Sequence, residues 1–109
     1  MRHSYAHEKL LLALDSLATG AGDVRERLYT AYKSFHPLKE SDFPEALQAD
    51  YRWVMEQMTK YGPVLDHEGK VRIGSVENTL RHIRKATGVK IAKKLHYLYH
   101  ELEIISRYV

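Results

Sequence analysis

With 109 residues, 44% of them hydrophobic and 28% charged, the chain carries enough apolar material for one core and not for two. A single domain over residues 1–109 is therefore the expectation, and six glycines, three prolines and no low-complexity tract exclude wholesale disorder and a fibrous repeat. The absence of cysteine excludes a disulfide, a thiol nucleophile and a thiolate metal site, and fits a reducing cytoplasm. The apolar run at residues 10–14 ends at Asp15, too short for a secretory signal and far short of the roughly 20 residues that cross a bilayer.

Hydrophobic spacing predicts an all-α fold, a compact bundle of about five helices with a possible hairpin-like loop at residues 63–74. The first helix is expected over residues 5–18, with Ser4 as its cap, Leu10, Leu14 and Leu17 at helical intervals, and Gly20 in a left-handed end position. Asp23 and Glu26 have the spacing of a capping box for a second helix, whose stripe is Val24, Leu28, Ala31, Tyr32 and Phe35 and which ends before Pro37. After a short polar linker, Asp42 and Glu45 repeat the box ahead of a third helix carrying Leu47, Tyr51, Val54, Met55 and Met58. Val64 and Leu65, then Val71 and Ile73, flank a turn of Asp66, His67, Glu68 and Gly69. Ser75 is expected to cap a fourth helix ending at Thr87 and Gly88, and a fifth follows at once, with Ile91, Leu95, Leu98, Leu102, Ile105 and Val109 forming one continuous seam.

Some side chains are left over once these stripes are assigned to the core. On the third helix Trp53 falls about 200° from Tyr51 at 100° per residue, and on the fifth Tyr97, Ile104 and Tyr108 lie away from the seam. Trp53, Tyr97, Ile104 and Tyr108 are therefore the expected partner interface. A homodimer through the fifth helix is the simplest way to bury such a surplus, because one patch pairs with its copy about a two-fold axis.

Charge divides the chain. Through Gly69 there are eight Lys and Arg against eleven Asp and Glu, a net of −3, and from Lys70 onward nine against three, a net of +6. Arg81, Arg84, Lys85, Lys90, Lys93 and Lys94 fall within a window, residues 81–94, that holds no acid. Cations at a helix start oppose the macrodipole, so local stability does not select them, and free N–H groups at that start add to an anion-binding surface. These six residues are the expected anion or nucleic-acid site, at the junction of helices four and five. A helix-turn-helix around Gly88 is disfavoured because Arg84 stands where a small buried residue is wanted and the fifth helix is apolar on two sides. The same lysines would suit anionic lipid heads.

Catalysis and cofactors find little support. His3 with His7, and His96 with His100, are spaced i to i+4, but two ligands make a weak site and no spacing supplies a third, so no metal is assigned. Gly20 and Gly22 lack the remainder of a phosphate loop, and Asp66, Glu68 and Gly69 lack the spacing of a calcium loop. No serine, histidine and acid form a recognisable nucleophilic set, which leaves no catalytic residue and no cofactor to name. The function expected is a non-catalytic interaction or regulatory module that self-associates and offers a basic patch to an anionic partner, with phosphate-contacting nucleic-acid binding as the alternative.

Overall fold

A computed structural model describes residues 3–107, so Tyr108 of the expected interface and Val109 of the expected seam lie outside the described residues. Five α-helices and one small antiparallel hairpin follow in the order α1 (Ser4–Thr19), α2 (Val24–Phe35), a 3₁₀ turn (Glu40–Asp42), α3 (Glu45–Met58), β1 (Val64–Leu65), β2 (Val71–Ile73), α4 (Ser75–His82) and α5 (Lys85–Ser106). The all-α expectation holds, and residues 63–74 form the hairpin. Among the described residues no helix is long and apolar enough to cross a membrane.

The turn into α2 shows how local chemistry sets an element boundary. Asp23 Oδ1 accepts from the backbone N–H of Arg25 at 2.8 Å and of Glu26 at 3.4 Å, while Glu26 accepts from the Asp23 N–H, which completes the predicted capping box. The Arg25 guanidinium beside it holds the Asp23 carboxyl down at about 2. Gly20 is extended at φ −66°, not left-handed; Gly22, at φ +86°, takes that conformation instead. A Cβ on Gly20 would meet the Ser16 carbonyl oxygen at 2.5 Å, so closeness to α1 is what glycine meets there.

The second expected box is not a cap. Asp42 closes the 3₁₀ turn by accepting from the Lys39 N–H at 2.7 Å, and α3 starts at Pro44 without a side-chain cap. Nor is the linker before it merely polar, because Leu38 and Phe43 are buried. Phe43 stacks on Tyr51, whose hydroxyl donates to the Leu38 carbonyl at 2.8 Å and whose burial pushes its ionisation well up. One aromatic of α3 thereby fixes the path of the connection.

Gly62 turns the chain at φ +65° into the hairpin, and α4 holds that turn through its two buried polar side chains. The Asn78 amide donates to the Gly62 carbonyl at 3.0 Å, and Thr79 Oγ1 accepts from the Tyr61 N–H at 3.1 Å. At the hairpin tip Asp66 Oδ1 accepts from the N–H groups of Glu68 and Lys70, with Gly69 at φ +80°.

The junction of α4 and α5 lies at Ile83 and Arg84, both extended, and not at Thr87 and Gly88 as the turn chemistry suggests. Gly88 is buried inside α5, where a Cβ would sit 2.9 Å from a Val24 methyl of α2. The glycine that reads as a break is a point of close helix approach. His7 of α1 meets Glu103 at the other end of α5, so α2 begins where α5 begins and α1 runs antiparallel to both. Ile91, Leu95, Leu98 and Leu102 of α5 form the spine of a core completed by Leu10, Leu28, Phe35, Tyr51, Val54 and Met58 from α1, α2 and α3.

Candidate functional site

The length of α5 organises the candidate surface. Its inner face is covered by α1, α2 and α3, while its outer face carries Val89, Tyr97 and Ile104 at 41%, 45% and 45% exposure. At 100° per residue these three fall within about 80° of one another, and with Lys90, Lys93, His96 and His100, all exposed, they occupy an arc of about 120°. Of the four expected interface residues, Tyr97 and Ile104 are thus brought to one open face. Trp53 differs in burial: it is half-buried and packed against the core, with the Lys94 ammonium 5.8 Å from its ring centre.

The six basic residues divide in the same way. Lys94 donates to Asp50 at 3.0 Å and lies over Tyr97 as well as Trp53, which ties it to α3. Arg81 pairs with Glu77 one turn earlier on α4. Arg84, Lys85, Lys90 and Lys93 are exposed and, among the described residues, form no ion pair. They surround a helix start with no acid in its first turn and no side-chain cap. Of the six expected residues, four thus stand without an ion pair among the described residues, and Arg81 and Lys94 are paired.

The two histidine pairs, alike in spacing, have different surroundings. His3 Nδ1 lies 3.1 Å from the Asp42 carbonyl, and His7 is bonded to Glu103, stacked on Tyr99, and held there by the Tyr99 hydroxyl, which donates to the same carboxylate oxygen at 3.0 Å. The imidazole and the phenol together hold the Glu103 carboxyl below its usual range. This clasp between α1 and α5 joins residues 96 positions apart, and no spacing in the sequence announces it. His96 and His100 instead face each other, Nε2 to Nε2 at 3.1 Å, on the exposed side of α5. Among the described residues no group of three or more His, Cys, Asp or Glu is arranged to hold a metal ion.

A groove of about 540 Å³ between α2 and α4 is lined by Arg25, Tyr29, Leu80 and Arg81 among others. Its charges are already satisfied locally, Arg25 by Asp23 and Arg81 by Glu77. No family model, curated protein or solved structure matches the chain.

Proposed function

We propose that this protein is a non-catalytic helical interaction module that self-associates through the outer face of α5. What carries the reading is the exposure of Val89, Tyr97 and Ile104 along one side of a helix whose other side already supplies the core. Single exposed apolar residues are ordinary, but three in one arc of one helix form a stripe that a second copy can cover. A cytoplasmic setting is consistent with the absence of cysteine. Sedimentation equilibrium of tag-free chain in a chelator-containing buffer tests it. A dimer is expected that the double substitution Tyr97→Glu with Ile104→Glu converts to monomer without loss of helicity; a wild-type monomer at high concentration rejects the reading.

The uncapped, acid-free start of α5 favours a second reading, in which Arg84, Lys85, Lys90 and Lys93 contact nucleic-acid phosphates. Retention on a nucleic acid would then fall steeply with salt, and reversing Lys90 and Lys93 to Glu would flatten that slope by about one unit per lost phosphate contact. Retention unchanged by the reversal removes it.

A further inference from the structure

We propose that His96 and His100 are half of a zinc site that two copies of the chain complete across α5. The proposal rests on self-association through the outer face of that helix. Both imidazoles are exposed, and their Nε2 atoms lie 3.1 Å apart. Tetrahedral zinc, with zinc–nitrogen bonds of about 2.0–2.1 Å, holds neighbouring ligand nitrogens about 3.3 Å apart, so the pair needs to open by only a few tenths of an ångström.

Among the described residues no other group hydrogen-bonds to these nitrogens. His3, His7 and His82 each spend a ring nitrogen on a carbonyl or carboxylate of another residue, whereas the Nε2 atoms of His96 and His100 have only each other. Two imidazoles so placed are suited to sharing one electrophile, and imidazole is a ligand for zinc, copper and nickel and not for calcium or magnesium. Among the described residues no third ligand stands with them. Two coordination positions are therefore open, and an isologous partner would fill them with an identical pair, giving the closed four-ligand set of a structural zinc site.

Charge selects the direction of the pairing. The first half of α5 carries Lys85, Lys90 and Lys93, exposed and in no ion pair among the described residues, and no acid. Lys94 is engaged by Asp50 and Glu103 by His7 and Tyr99, so the exposed-side acid of its last turns is Glu101. A two-fold axis perpendicular to α5 at the level of Leu98 brings the two histidine pairs face to face and runs the helices antiparallel. Each lysine-rich end then lies beside the acidic end of the other copy. Parallel pairing would instead set the two cationic ends against each other.

The test uses tag-free full-length chain stripped with EDTA, then equilibrated with zinc chloride or left metal-free. Zinc content after dialysis and mass by sedimentation equilibrium are read for wild type, His96→Ala and His100→Gln. One zinc per two chains and a dimer tightened on the order of tenfold, both lost in the two variants while their helicity is kept, is the expected result. One zinc per chain with no change of mass, zinc content equal in wild type and variants, or no retained zinc would each overturn the proposal. A metal-free dimer indifferent to zinc would overturn the zinc site and leave self-association standing. A chain that is monomeric in EDTA and dimeric only with zinc would uphold the shared site and remove metal-free association.

Discussion

Both sides of α5 carry apolar side chains, in opposite surroundings. Ile91, Leu95, Leu98 and Leu102 are sealed within the chain, while Val89, Tyr97 and Ile104, on the same 22 residues, remain open. The difference teaches that apolar residues on a helix do not by themselves say which of its sides packs within the chain. Only the inner side is accounted for by intramolecular packing. The outer side combines its apolar atoms with lysines and two facing imidazoles, a mixture a stably folded monomer does not require.

Matched truncations give the largest contrast between the two sides. Leu98→Ala is expected to cost about 2–5 kcal/mol, the transfer term of a buried leucine plus the cavity it leaves. Ile104→Ala, at metal-free monomer concentrations, should stay within about 0.5 kcal/mol. Urea denaturation of both variants checks the pair. Equal losses would mean that the outer side is held within the chain after all.

The close approach of α5 to α2 supplies an effect of intermediate size. Gly88→Ala gains about 1 kcal/mol of helix propensity but drives a Cβ into the stiff Val24 side chain, an overpacking cost of about 1–3 kcal/mol, so a net loss of stability is expected. Introduced into a Val24→Ala background, the same substitution should become stabilising because the obstructing methyl is gone. A double-mutant cycle by thermal denaturation reads this reversal of sign.

The smallest effect is electrostatic. Asp23 is held at about 2, and Glu40 and Glu103 are also lowered, by Arg52 in one case and by His7 and Tyr99 in the other. Carboxyls depressed in the folded state contribute stability that is fully present above their unfolded values near 4 and is lost as the pH falls through the folded ones. The Tm of wild type should therefore drop between pH 5 and pH 2 by more than that of Asp23→Asn, which keeps a capping side chain but cannot titrate. Parallel Tm curves would show that the Asp23 carboxylate has no part in the acid sensitivity.

Periodicity made the helices legible, and the four-three repeat of Ile91 through Leu102 identified the central one because a buried stripe repeats at the helical period. Tyr97 and Ile104 were legible by the same geometry, as the apolar positions left over. Gly88 was misleading because glycine in a helical pattern signals either a turn or a close contact, and only the position of Val24, 64 residues away, distinguishes them. The pairing of Lys94 and Arg81 was hidden for a related reason. Asp50 and Glu77 are ordinary surface acids in the sequence, and it is packing of α3 on α5 and one turn of α4 that bring them to Lys94 and Arg81. The difference between the His3–His7 and His96–His100 pairs was invisible for the same cause, since identical spacings say nothing about what the neighbouring elements bring to each ring.

The hairpin stands on hydrogen bonds between the turn beneath it and Asn78 and Thr79, the first donating and the second accepting, while His67, Glu68 and Gly69 at its tip are exposed. Such a finger can be lengthened, clipped or fitted with a fluorophore without asking any helix to move. A reporter spliced between Glu68 and Gly69 would travel with the folded molecule as a passenger.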